Sequence, residues 1–336
     1  LGADISSIDS LVWTESGVQT GDGETPYSST NLVAAWNFNS TSGTTATADA
    51  GSCGSTCNLS LLGFGNTTGQ DAAAGSGWTA NNKRWGAGAI MTNGTSDYME
   101  CTDANCGGTS KLDYPGSGGW TVEAWFNQNT VLTTSQIVAG KYASVNGQRS
   151  YLLFTFGNYI YFYASPDGTN VTAVSKPGVI FSGNWYHAIA VYDGSTLKLY
   201  LNGILIGQTN YTSGIYDSPS AFRLGMTAGG TSPFNGTIDS TRVYSRALPA
   251  SEILANYQAG NIELQTRTGS TSSPLDGSWE AWKPVTSETQ IDAMDATTGW
   301  AWDGNTSDPT SVALDTTTKI EGSGSLKNIL GAPEVD

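Results

Sequence analysis

Charge is scarce in this chain. Only 13% of its 336 residues are Asp, Glu, Lys or Arg, and 14 basic side chains face 29 acidic ones, for a net charge of −15. A polyanion has no electrostatic reason to approach nucleic acid or an anionic membrane, so partners of both kinds are excluded. The acidic surplus suits divalent cations, or simply keeps a protein dispersed. Histidine is scarcer still: His187 stands alone, which leaves little material for a nucleophilic triad. Long apolar runs are missing, so neither a membrane span nor a secretory leader is legible. The chain starts with Leu, which reads as a processed product or an excerpt of something longer. Long helices need many Glu, Lys, Arg and Ala; here Gly, Ser, Thr and Asn are frequent instead, so strands and turns are expected.

Cysteine is limited to four residues in two close pairs, Cys53 and Cys57 in "CGSTC" and Cys101 and Cys106 in "CTDANC". One spacing is marginal for a zinc knuckle, and both loops lack a knuckle's usual neighbours. An even count in polar loops reads as two disulfides. Local bridges, Cys53–Cys57 and Cys101–Cys106, are the first choice, with crossed pairing between the loops left open. Either arrangement implies an oxidising compartment, so the protein is expected to be extracellular or on a cell surface. Eight Asn-X-Ser/Thr sequons, at Asn39, Asn58, Asn66, Asn93, Asn170, Asn210, Asn235 and Asn305, are compatible with a glycoprotein.

The text changes texture twice. Residues 1–30 are polar apart from Ile8, Leu11, Val12 and Trp13, and read as an arm or linker. Residues 31–260 alternate apolar and polar in short runs separated by Gly, Asn, Asp or Ser. Asn202-Gly203 in "TLKLYLNGILIGQ" signals a type I′ hairpin, and "YLLFTFGNYIYFYAS" turns at Gly157-Asn158 in the same style. Further strands are "NLVAAWNF", "GAIMTNG", "DYMEC", "WTVEAWFNQ", "WYHAIAVYDG", "AFRLGM" and "GTIDSTRVYS". One helix is expected, "PASEILANY", with Ile253, Leu254 and Tyr257 on one face. So many strands imply an all-β, two-sheet sandwich, because an open sheet would leave long unprotected edges. Residues 261–336 read as a hairpin, "IELQTRTG" with "GSWEAWKPV", and an incomplete second β module.

The motifs "AAWNFNSTSGTTATADAGS", "WGAGAIMTNGTSDYMEC", "GGWTVEAWFNQ", "NWYHAIAVYDGSTLKLYLNGILIG" and "FNGTIDSTRVYSRALPASEIL" occur in that order. Together they resemble the laminin-G-like, concanavalin A-like jelly rolls of bacterial or archaeal surface proteins, over about Leu32 to Gly260. The resemblance implies two curved antiparallel sheets and a role in adhesion or carbohydrate binding. It also implies a structural calcium at Asp239, the Asp after "G-x-I" in the last strand. Further ligands would be Asn39, Asp49 and the carbonyl of Gly94; many relatives carry Asp where Asn39 stands. The competing reading of Asp239 is a turn cap or an ion pair with Arg242 or Arg246.

Chemistry is harder to find. A glycosidase needs two carboxylates about 5 Å apart, or further for inversion, and residues i and i+2 of a strand share a face. Within the sandwich no such acid pair occurs; Asp22-Gly-Glu24 lies in the arm and Glu334-Val-Asp336 at the end. Glu123 reads as a paired buried acid and His187 as core packing, so no catalytic residue is assigned and no enzyme is expected. Sugar recognition uses exposed rings, and Trp78, Trp85, Tyr142 and Tyr216 are the candidates on expected loops. The best functional reading is a non-catalytic surface protein that binds a glycan or cell-surface ligand. The rival is a filament or sheath protomer that pairs with copies of itself through the N-terminal arm or the C-terminal strands. A glycoside hydrolase comes third.

Overall fold

The computed structural model describes residues 22–71, 75–108, 111–116 and 118–260, with strand positions 265–266, 283–284, 311–315 and 325–329. The chain divides into two units, the larger being Gln19–Asn261. Its strands are β1 (Leu32–Trp36), β2 (Thr45–Ala46), β3 (Leu59–Leu62), β4 (Gly77–Thr79), β5 (Ala89–Asn93), β6 (Tyr98–Cys101), β7 (Trp120–Gln128) and β8 (Ser135–Ala143). They continue with β9 (Gln148–Phe156), β10 (Tyr159–Ala164), β11 (Thr172–Lys176), β12 (Trp185–Tyr192), β13 (Thr196–Leu201), β14 (Ile204–Asn210), β15 (Phe222–Leu224) and β16 (Asn235–Tyr244). Among the described residues the α-helices are the single turn α1 (Asp103–Cys106) and α2 (Ala250–Gln258), beside a 3-10 turn at Gly54–Cys57.

The strands form two antiparallel sheets of eight. The first runs β14-β13-β12-β7-β16-β5-β4, with β1 also paired to β16; the second runs β11-β10-β9-β8-β15-β6-β3-β2. The all-β sandwich expected from the alternation is therefore what forms. Its core lies between the sheets and holds Trp36, Trp78, Trp120, Phe126, Tyr151, Phe162 and Phe222.

Period 2 explains the central strand β7. Trp120, Val122, Ala124 and Phe126 face the core, while Thr121, Glu123, Trp125 and Asn127 take the opposite side. Yet every residue of β7 is buried. The reason is α2, which begins after Pro249 and lays Ile253, with Leu248, against Leu32, Ile189, Val191, Tyr200 and Tyr244 on the outer face of the first sheet. Leu254, expected on the buried face, is 40% exposed, and Asn256 takes the inward position instead. The hairpin at Asn202-Gly203 has positive φ at both residues, 50° and 77°, as a type I′ turn requires. At Gly157-Asn158 only the glycine has positive φ.

One departure from simple alternation matters. Ile238 and Val243 of β16 both face the core although five residues apart, which an unbroken strand forbids. The pairing with β7 shifts between Asp239↔Trp125 and Arg242↔Glu123, inserting one extra residue. Ser240, a non-glycine at φ 40°, sits in this bulge. The bulge keeps both apolar residues inward and turns Asp239 and Arg242 to the outer side.

Cys53–Cys57 and Cys101–Cys106 are the two bridges, each closing its own loop. Beyond Asn261, Gln265–Thr266 pairs with Lys283–Pro284, and Ser311–Asp315 with Ser325–Ile329. Ile8, Leu11, Val12 and Trp13 of the arm lie outside the described residues, as does Asn305.

Candidate functional site

The outer faces of the two sheets are built from opposite materials. On the first sheet a charge network is sealed beneath α2 and the segment 22–27. Arg242 Nη1 lies 2.5 Å from Glu123 Oε1, and His187 Nε2 lies 2.9 Å from the same oxygen. Asn256 Nδ2 donates to Glu123 Oε2 at 3.0 Å. Arg242 Nη2 donates to the carbonyls of Gly23 and Glu24, and Asn256 Oδ1 accepts the N–H of Tyr27. Residues 22–27, read from sequence as part of an arm, are thus tied to the sandwich. Trp125 stacks on His187 at 4.7 Å and on Tyr257 at 5.9 Å. Burial alone would raise Glu123, but Arg242 and the bonds from His187 and Asn256 outweigh it and hold the carboxyl at about 2. Glu123 is thus a paired buried acid, and His187 is buried in the same network.

Asp239 is fully buried beside this network. Its Oδ2 accepts the N–H groups of Arg84 and Trp85 at 2.8 and 3.0 Å, and its Oδ1 accepts that of Ser240 at 2.8 Å. The carboxylate therefore braces the bulge and pins the loop before β5. It pairs with neither Arg242 nor Arg246 among the ion pairs of the described residues. Burial pushes its pKa up to about 7 against these three donors, with Glu24 adding repulsion.

Of the expected calcium ligands, Asn39 and Asp49 line one cleft of about 200 Å³, which neither Asp239 nor Gly94 lines. Asn39 Oδ1 accepts the N–H groups of Ala87 and Gly88, and its Nδ2 donates to Glu24 at 2.7 Å. Asp49 accepts the N–H of Asn37, and Gly94 faces the side chain of Asn235. Among the described residues no three of His, Cys, Asp and Glu gather as a metal cluster. A cation at Asp239 would have to displace amide hydrogens aimed at the carboxylate, so the donor set as arranged does not fit calcium.

The second sheet is open. On its outer face Tyr161 stands opposite Phe154, which stands opposite Ile137; Tyr163 opposes Leu152, which opposes Gly140; and Tyr159 opposes Phe156. Phe154 and Tyr161 stack at 4.9 Å and 12°, and Tyr163 meets Phe154 edge-on at 4.8 Å. There is no room for a side chain at Gly140: a Cβ there would come within 2.6 Å of the Tyr151 carbonyl oxygen and 2.7 Å of Leu152 Cδ1. Over these rings lies a cleft of about 420 Å³. Tyr142, Ser135, Ser144, Thr227, Thr231 and Ser232 also line it, with the buried Thr227 hydroxyl bonded to Thr231.

Of the four rings singled out from sequence, only Tyr142 lines this cleft. Trp78 lies in β4, not a loop; it is 2% exposed and its indole donates to the Gly43 carbonyl at 2.8 Å. Trp85 is wedged edge-on against Trp125 beneath Gly23 and Gly260. Tyr216 is half-buried, its backbone bonded to Ser150 and Ser165. The cleft's main rings, Phe154, Phe156, Tyr161 and Tyr163, were missed. Their signal is in "YLLFTFGNYIYFYAS", which is aromatic or apolar on both faces of the hairpin when one face suffices for the core. Of the sequons, Asn93, Asn170 and Asn210 are exposed; Asn39, Asn58, Asn66 and Asn235 are half-buried.

The family model described as the concanavalin A-like lectin/glucanases superfamily, of laminin-G type, matches residues 93–254. No curated protein matches the chain. Among solved structures, similarity is found to the binding domain of botulinum neurotoxin DC in complex with rat synaptotagmin II (11% identity, 69% of this chain and 52% of that one, TM-score 0.49). The binding domain of Paraclostridial Mosquitocidal Protein 1 is comparable (12%, 68% and 52%, 0.49). Domain 4 of AbnA, a GH43 extracellular arabinanase from Geobacillus stearothermophilus in complex with arabinotriose, is also similar (20%, 68% and 98%, 0.44). The chain spans about half the length of the two binding domains.

Proposed function

We propose that this protein binds a glycan without cleaving it, in the aromatic cleft of the second sheet; the match of residues 93–254 to the concanavalin A-like lectin/glucanases superfamily supports this reading. The lining of that cleft carries the reading. The half-buried rings of Tyr161 and Tyr163 and the exposed Phe156 offer apolar surface to the C–H face of a pyranose or furanose, over a floor of buried Phe154, and Ser135, Ser144, Thr231 and Ser232 offer hydroxyls to its polar edge. None of the lining residues is charged, which favours a neutral glycan over a sulfated or uronic one. Hydrolysis would need two carboxylates facing the sugar, and the lining supplies none. Two disulfides fit an extracellular or cell-surface location and a role in adhesion. A glycan array followed by calorimetry on wild type, Tyr161→Ala and Tyr163→Ala tests the proposal. Binding to neutral glycans that both substitutions weaken, with unchanged melting temperature, is expected. A blank array, or binding indifferent to both, overturns it.

A further inference from the structure

Lysine is among the residues least expected inside a sandwich, yet Lys141 is fully buried. Its cross-strand partners on β8's two sides are Phe222 and Tyr151, both completely buried members of the core. Directly opposed residues of antiparallel strands point to the same face, so the lysine stem enters the core between two aromatic rings. Its Nζ contacts Oδ1 of Asp113 and lies 2.5 Å from Oδ1 of Asp103. Asp113 is itself 2% exposed, and its Oδ2 accepts the N–H of Gly108. Asp103 sits on α1 inside the Cys101–Cys106 loop, with its side chain 37% exposed. Tyr151 closes the site by donating to the Leu112 carbonyl at 2.7 Å.

This is an expensive place to keep an ammonium and a carboxylate apart. Passing one proton from Nζ to Asp113 leaves a neutral amine against a neutral acid, and burial favours that exchange by raising Asp113 despite its cationic neighbour. An amine held against a carboxyl, in a pocket walled by aromatic rings, is an amide-forming pair at very high effective concentration. A second carboxylate is within reach of the same nitrogen.

We propose that Lys141 and Asp113 are joined by an intramolecular amide bond, with Asp103 carrying the proton. The Nζ lone pair attacks Cγ of Asp113, and the C–N bond forms as Asp103 accepts a proton from the nitrogen. Asp103 returns that proton to the departing Asp113 oxygen, one C–O bond breaks, and water leaves. Nothing is oxidised or reduced and no co-reactant is needed. The product staples the loop after the second disulfide to the strand that floors the proposed glycan cleft, across a sequence separation of 28 residues. It stands independently of the glycan reading.

Peptide mapping of the full chain, denatured and reduced, tests it. Trypsin should fail to cut after Lys141. Chymotrypsin, which is blocked after Tyr114 by Pro115 but cuts after Trp120, should leave the Asp113 and Lys141 peptides joined and lighter by one water. Asp113→Asn should give the identical linked product, with ammonia expelled. Asp103→Ala should give unlinked peptides while circular dichroism still shows a folded protein. The wild-type map needs no variant to fold. Separate Asp113 and Lys141 peptides from wild type, or a water loss located anywhere else, overturns the proposal. Full linkage in Asp103→Ala overturns the role given to Asp103.

Discussion

The two outer faces of this sandwich divide the labour of polar and aromatic residues in opposite ways. On the first sheet, charges are tolerated because the face is sealed: α2 and residues 22–27 exclude water, and each carboxylate is met by a guanidinium, an amide or several N–H groups. On the second sheet the face is open, and rings line the place where water enters. A glycan site built of rings needs exposure, whereas a network built of charges needs a lid. The same fold thus carries a sealed charge network on one side and, on the other, the open cleft proposed for recognition.

The largest effect expected from breaking this contrast is on the sealed side. Arg242→Ala strands Glu123 without its main counter-charge, and losing one partner of a buried pair costs about 3–5 kcal/mol. Urea denaturation should show that loss, and a fall below about 1 kcal/mol would mean the network is slack.

Next comes pH. The folded pKa of Asp239, about 7, lies above its ordinary 3.8, so the native state binds more protons than the unfolded one between those values. Stability contributed by the protonated form is present below pH 4 and is lost as pH rises towards 7, by at most on the order of 4 kcal/mol. Glu123 works the other way: held at about 2, its contribution is present above its ordinary 4.5 and lost as pH falls towards 2. The midpoint of denaturation should therefore be higher near pH 5 than near pH 8, and Asp239→Asn should flatten that slope. An Asp239→Asn profile parallel to wild type contradicts the assignment.

Much of this contrast was hidden in the sequence for physical reasons. β7, β12 and β16 were legible because β-branched and aromatic residues dominate them, and the β13–β14 hairpin because Asn-Gly accepts two positive φ angles. β8 was missed because Gly140 and Lys141 break the apolar rhythm of "SQIVAGKYA", and the lysine is the residue that points inward. The bulge at Ser240 could not be read, since a register shift exists only relative to a partner strand. The cleft escaped because it joins three strands to the loop around Thr227–Ser232. Seeking lone aromatics on loops picked out Tyr142, which lies in β8 and not on a loop, and also Trp78, which the core claims.

Smaller effects follow. Reducing both disulfides should cost each bridge less than the ~3 kcal/mol of a 15-residue loop, because the closed loops are shorter. Intact mass under non-reducing conditions should show four thiol hydrogens missing; free thiols would contradict the pairing. Smallest of all is the response to EDTA. With the oxygens of Asp239 and Asn39 occupied by N–H donors, the melting temperature should not move. A fall in melting temperature that calcium restores would show that the loop before β5 rearranges to admit a cation.

The most direct test sets one ring from each face against the other. Calorimetry with the best neutral oligosaccharide from an array should show Tyr161→Ala weakening binding at least tenfold, about 1.4 kcal/mol, without altering stability. Trp85→Ala should lower stability and leave the affinity of the folded protein unchanged. If Trp85→Ala abolishes binding and Tyr161→Ala does not, recognition lies outside the open cleft, and the division of roles between the two faces is wrong.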